Sequence, residues 1–213
     1  HIPFCTGICT YCAYVTKSAK IGDSKIDRYL EILEKEFQLY NHKFGRMSIK
    51  TAYIGGGTPT IMNQRQLERL YDMIRKNFDL AGIEEYTLEG CPETMTENKV
   101  QQGKDNGINR ISIGVESFND YILEKMNRRH NSKQSMLAIE KIKSILPIDI
   151  DIIRCYPGYT DEMVLHDINC IRELLPSSVT TYKYNLKPSS IDIKKNKSTT
   201  FFSWHLWINI LSF

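Results

Sequence analysis

Short runs rich in Ile, Val, Tyr and Thr, at 1–4, 51–54, 86–88, 110–115, 148–153 and 179–186, alternate with segments whose apolar residues recur every three or four positions. That alternation constrains the fold more than anything else in the chain. Two parallel strands can be joined only by a crossover long enough to return to the starting edge, and an amphipathic helix is the usual crossover. Repeated βα units therefore predict a parallel sheet with helices packed on it, here in six units. In the first helical segment Ile26, Tyr29, Leu30, Leu33, Phe37 and Tyr40 form the apolar stripe; Leu67, Leu70, Tyr71, Ile74 and Phe78 form the second. Thr94 and Glu97 have the spacing of a capping box opening the third, and Val164, Ile168, Ile171 and Leu175 stripe the last. These stripes are read as core.

The 213 residues are 41% hydrophobic, enough for one sizeable core and short for two. Lys and Arg number 28 against 25 Asp and Glu, a net charge of +3 without a dense basic block, so nucleic acid is not an expected partner. No run of about 20 apolar residues is present to span a bilayer, and the first residues lack the zones of a signal peptide. A reducing cytoplasm is the expected compartment. After Pro188 the texture changes to SSIDIKKNKSTT and then FFSWHLWINILSF, which fits no seventh unit. The expected organisation is one core domain over 1–188 and a tail over 189–213 of no assigned role, read as an aberrant or truncated C-terminus.

Cys5, Cys9 and Cys12 crowd into CTGICTYC directly after the first strand. Thiols so close in a chain of this size point to a metal site rather than a disulfide framework. Three thiolates hold zinc with a fourth ligand, or three irons of a cubane cluster. A structural zinc site usually draws on a second cysteine pair, whereas Cys91, Cys155 and Cys170 stand alone. Three cysteines on four irons leave one iron without a protein ligand, an open position of the kind found in catalytic metal sites.

CxxxCxxC after a strand, with Tyr11 before the last cysteine, resembles the cluster loop of radical S-adenosylmethionine enzymes. The resemblance continues through GGGTPT (55–60), EGCPETMT (89–96), NRISIGVESFND (109–120), MNRRH (126–130) and IDIIRCYPGYT (150–160). In this order the blocks resemble the oxygen-independent coproporphyrinogen III oxidase group, which includes haem chaperones and several methyltransferases and cyclopropanases. The resemblance implies an α/β fold, a partial (β/α)6 TIM-like barrel of the radical SAM type, with the blocks at the C-terminal ends of the strands, where barrels gather their reactive groups. It implies a [4Fe–4S] cluster on Cys5, Cys9 and Cys12 and S-adenosylmethionine chelated to the open iron, so that one electron releases a 5′-deoxyadenosyl radical. By the same resemblance Gly55, Gly56, Gly57 and Thr58 meet the methionine amino group, and Glu89 lies near the ribose and methionine ends. Arg128, in preference to Arg129, meets the carboxylate, and Asp151 lies close to the adenosine. Glu116 stands where the family more often has Gln, a departure, because a carboxylate accepts hydrogen bonds but cannot donate them, so that either the hydrogen bonds to the cofactor differ or Glu116 is protonated.

Cys91 and Cys155 match no ligand position and are read as buried, inert thiols. His130 reads as structural, and Tyr182 and Tyr184 either line the pocket or pack. Decarboxylating members of the group carry one more cysteine two residues past the set; Tyr14 is there instead. That moves the reading towards the haem-chaperone or methyltransferase-like branches. The expected function is reductive cleavage of S-adenosylmethionine acting on a small molecule, a tetrapyrrole or other organic compound, with a flavodoxin or ferredoxin as reductant. Haem delivery with little turnover, and a zinc-binding or inactive fragment, remain as alternatives.

Overall fold

A computed structural model of the chain describes residues 1–185 and 190–191; the expected tail over 189–213 lies almost wholly outside the described residues. Six parallel strands carry the fold: β1 (Phe4–Cys5), β2 (Thr51–Ile54), β3 (Glu85–Gly90), β4 (Arg110–Glu116), β5 (Ile148–Arg154) and β6 (Ser178–Lys183). Strands β2 to β6 form one five-stranded sheet in the order of the sequence. The first strand is shorter than the expected 1–4 run, because its backbone bonds mainly with a loop. Ile2 N donates to Gly55 O at 2.8 Å, Gly57 N to Ile2 O at 2.8 Å and Thr58 N to Phe4 O at 2.8 Å. The N-terminus thereby lies against the exit of β2 and extends the parallel order to six.

Helices α1 (Ser24–Phe44), α2 (Gln64–Asn77), α3 (Glu97–Asp105), α4 (Asp120–Lys125), α5 (Ser132–Ile142) and α6 (Asp161–Leu174) make the crossovers, with both α4 and α5 between β4 and β5. Their ends follow local chemistry. Asn63 and Gln66 form a reciprocal capping box on α2, as Asn131 and Gln134 do on α5. Three expectations need correction. Thr96, not Thr94, caps α3, its hydroxyl accepting from Lys99 N; the Thr94 hydroxyl instead pairs with that of Thr60 at 2.6 Å. Phe78 ends α2 and pairs with Met47 in a two-residue strand contact. Leu175 closes α6 in the left-handed conformation and is 79% exposed, so it leaves the stripe.

Alternation along the strands separates two chemistries. Tyr86 and Leu88, Ile111 and Ile113, and Ile148, Ile150 and Ile152 join the helix stripes in the buried core. The opposite face carries Glu89, Ser112, Asp149 and Asp151, tied across strands by Ser112 to Asp151 at 2.7 Å, Arg110 to Asp149 at 2.9 Å and Thr180 to Asp149 at 2.7 Å. The expected partial barrel is thus present, with an apolar exterior under helices and a polar concave interior. Among the described residues no helix is long and apolar enough to cross a membrane.

Candidate cluster and cofactor site

The cysteine loop leaves β1 at the C-terminal end of the sheet and is pinned to the junction between α4 and α5. Thr10 N donates to Met126 O at 3.0 Å, and Asn127 Nδ2 to Ile8 O at 2.7 Å. The Thr10 hydroxyl also pairs with the Tyr156 hydroxyl at 2.9 Å. Cys5, Cys9 and Cys12 are free and half-buried, and they line one cavity of about 100 Å³. Gly56, Gly57, Thr58, Glu89, Glu116 and Arg128 line it too. Asp151 does not; it borders an adjoining space of about 530 Å³ that shares Tyr11, Cys12, Glu89 and Glu116 with the first. Gly55 lines neither.

The glycine run was expected to let the backbone approach a ligand. Its close approaches are to the protein itself. Gly56 has φ of 119°, open to glycine at little strain, and donates to Glu89 Oε2 at 3.0 Å. A Cβ on Gly57 would stand 2.7 Å from Phe4 O and 3.0 Å from Cys5 Sγ. The run therefore seats the loop against the cysteine strand and holds Glu89.

Arg128 is the centre of the polar network, its side chain only 7% exposed. One Nη lies 3.5 Å from Cys9 Sγ and 3.2 Å from the Tyr11 hydroxyl, and the other lies 3.3 Å from Cys91 Sγ and donates to Gly114 O. Glu116 Oε1 is 3.7 Å away. Among the described residues the buried Nε has no hydrogen-bond partner. Glu116 itself has φ of 70°, where the β4–β5 register shifts, a strained backbone of the sort that persists where surrounding contacts hold it. Burial pushes its carboxyl up, against the pull of Arg128.

Burial also raises Glu89 to about 7, although the Gly56 N–H opposes it, and raises Asp151 to about 7 against the Ser112 hydroxyl. Glu93 goes the other way. Burial raises it, but the His130 hydrogen bond and the Arg128 charge outweigh burial and hold it at about 2. A raised folded-state carboxyl binds its proton more tightly than the unfolded chain does, so its stabilisation is present at low pH and lost as pH rises through the folded value. The stability of the ligand-free chain is therefore expected to fall between about pH 4.5 and pH 7, by roughly 1–3 kcal/mol for each of Glu89 and Asp151, and the melting temperature to fall with it. Glu93 contributes the opposite slope below about pH 4.5, where its ionised form is lost as pH drops towards 2. Glu89→Gln should flatten the upper limb; an unchanged slope in melts across this range would contradict the burial of Glu89.

Sequence reasoning missed part of the site. Cys91 is buried as expected, but it lines the cysteine cavity and touches both Arg128 and the Thr58 hydroxyl, 3.6 Å away; burial pushes its thiol up to about 12. Cys155 is half-buried rather than buried. Tyr184 packs on Tyr156 with ring centres 4.8 Å apart, while Tyr182 is 53% exposed; both border the larger space. The one available signal for these residues was their place beside the sequence blocks.

Among the described residues no three His, Cys, Asp or Glu side chains are arranged to hold a metal ion. The donor set nonetheless fits a cationic cluster. Three unpaired thiols share a cavity, burial raises Cys5 to about 11 and Cys12 in the same direction, and a metal charge is what buried thiolates need. Among the described residues the buried Arg128 Nε is a donor without an acceptor.

A parallel, partly closed barrel with such a loop at the C-terminal end of its first strand defines a class, and the sequence matches the radical SAM superfamily over residues 1–171. The chain belongs to that superfamily. The heme chaperone HemW of Lactococcus lactis is 35% identical over 92% of the chain and 51% of its own length. The oxygen-independent coproporphyrinogen III oxidase of Salmonella typhimurium is 28% identical over 89% of the chain and 42% of its own length. The solved coproporphyrinogen III oxidase HemN of Escherichia coli superposes with a TM-score of 0.86 at 28% identity, covering 99% of this chain and 49% of that one. The chain spans about half the length of these relatives.

Proposed function

We propose that the chain binds a [4Fe–4S] cluster on Cys5, Cys9 and Cys12 and cleaves S-adenosylmethionine reductively, acting on a tetrapyrrole or another organic small molecule. The observation that carries this reading is the convergence of the three thiols, Glu89, Glu116 and Arg128 on one cavity at the C-terminal ends of the strands. When bound, such a cluster would pass one electron from an external reductant to the sulfonium, whose C5′–S bond would break to give methionine and a 5′-deoxyadenosyl radical able to take hydrogen from substrate.

The chain's own residues do the holding. Arg128, with a free Nε, offers a charge-assisted donor to the methionine carboxylate. Glu89, already engaged by Gly56 N, has acceptor capacity left for an ammonium or a ribose hydroxyl. Gly56, Gly57 and Thr58 shape the wall facing the amino group, while Gly55, outside that wall, accepts from Ile2 N. Glu116 accepts only, so it favours the cationic end of the cofactor where an amide would serve both ends alike. Asp151 borders the larger space and is assigned to the adenosine side, leaving the remainder of that space, edged by Tyr14, Ile153 and Tyr182, to substrate. A flavodoxin or ferredoxin is the proposed reductant.

A second reading, haem delivery with little turnover, is favoured by the named heme chaperones among the relatives and by Tyr14 at the position after the cysteine set. One experiment separates them. The chain is reconstituted anaerobically with iron and sulfide, reduced with dithionite, given S-adenosylmethionine and assayed for 5′-deoxyadenosine. Cluster-dependent formation supports the enzyme; an intact cluster with no product and stoichiometric haem binding supports delivery.

A further inference from the structure

Glu93 and His130 take no part in the cofactor contacts proposed above, yet they are among the most tightly held groups near the site. The His130 side chain is fully buried, with Nδ1 3.1 Å from Glu93 Oε2 and Nε2 3.1 Å from Val115 O. The other Glu93 oxygen accepts the Thr6 hydroxyl at 3.1 Å. A continuous hydrogen-bonded chain thus runs from a β4 carbonyl through imidazole and carboxylate to a hydroxyl.

Its two ends lie in the two halves of the site. Thr6 stands between Cys5 and Cys9. Val115 stands between Gly114, whose carbonyl accepts from Arg128, and Glu116 with its left-handed backbone. Both imidazole nitrogens face oxygen acceptors, an arrangement satisfied in full when the ring donates twice, and a carboxylate that accepts from such a ring forms a charge-assisted bond. Ile8 and Thr10 anchor the second half of the cysteine loop to the α4–α5 junction, while Thr6 anchors the first half.

We infer that His130 and Glu93 are positioning residues, a clamp that sets the cysteine loop at a defined distance from the Arg128–Glu116 wall through Thr6 and Val115. What the loop holds rests on the proposed function; the clamp itself does not.

The test uses the 213-residue chain without cluster. Pulses of iodoacetamide label the thiols, and peptide mass spectrometry follows each cysteine separately. Thr6→Val keeps the shape of the side chain and removes only the donor. It should raise labelling at Cys5 and Cys9 by about 10- to 100-fold, the size expected for one hydrogen bond to a charged group. Cys170, buried on α6, should keep its rate, and Thr6→Ser should restore the wild-type rates. Glu93→Gln and His130→Gln should act in the same direction, and combining His130→Gln with Thr6→Val should add little, because both cut one chain. Where His130→Gln does not fold, the two Thr6 variants decide.

Unchanged rates at Cys5 and Cys9 in Thr6→Val, additive effects in the double variant, or an equal rise at Cys170 would each overturn the clamp. In reconstituted protein, iron release to a chelator should speed up by a similar factor in Thr6→Val. If the wild-type chain takes up no cluster, the functional reading fails while the labelling still decides the clamp.

Discussion

Cys9→Ala is expected to yield a folded chain that retains little iron and sulfide after anaerobic reconstitution and forms 5′-deoxyadenosine at least about 100-fold more slowly. Loss of a group that merely orients a metal ligand costs about 10- to 100-fold, and loss of the ligand itself should cost more. The fold should survive because Cys9 is half-buried and stands outside the buried core, so truncation leaves no large cavity. Its thiol faces Arg128 at 3.5 Å, a cation that remains held by Gly114 O and the Tyr11 hydroxyl. Iron content, sulfide content and product formation, read beside a thermal melt, check the result. Retained cluster with unchanged cleavage would sink the ligand assignment.

The second large effect is on stability. Arg128→Met is expected to cost about 3–5 kcal/mol, because Glu116 is left as a buried carboxylate without its cation. Gly114 O and the Tyr11 hydroxyl lose a donor in the same substitution. Adding Glu116→Gln should recover a large part of that loss, since an amide needs no counter-charge. Urea denaturation of the wild type, both single variants and the double variant gives the coupling directly. Equal stability of Arg128→Met and wild type would show that the pair is not buried as described. The same variant should lose affinity for S-adenosylmethionine.

Much of this architecture was legible before any coordinates. A strand read from 110–115 and one from 148–153 became β4 and β5 nearly residue for residue, because a strand buried on its outer face by helices must be apolar at every second position. The polar residues between, Ser112, Asp149 and Asp151, then had to share the concave face. Helix ends were less legible. Thr94 and Thr96 offer the same hydroxyl two residues apart, and only the turn after β3 decides which one caps. Leu175 continues an apolar spacing, but Pro176 follows it and the helix has already ended.

In the site, the cysteine spacing announced a loop of thiols because the three lie within eight residues. The glycine run was legible, but its packing against Glu89, Ile2 and Phe4 was not, because that depends on which strand lies alongside. Cys91, Glu93 and His130 were each visible as single letters inside recognised blocks. Their meaning comes from contacts across 37 positions or more, Arg128 with Cys91, His130 with Glu93 and Glu93 with Thr6.

The sequence by itself determined the βα alternation and the presence of a three-thiol loop at the end of the first strand. These follow from short-range periodicity and spacing, which act within one element. The tertiary structure alone decided that Glu116 and Arg128 form a buried pair, that Glu89 and Asp151 are pushed to about 7, and that Glu93 is held at about 2. Desolvation and charge–charge interaction depend on distance through space, and closing the sheet brings together carboxylates, a guanidinium and an imidazole that the chain keeps far apart.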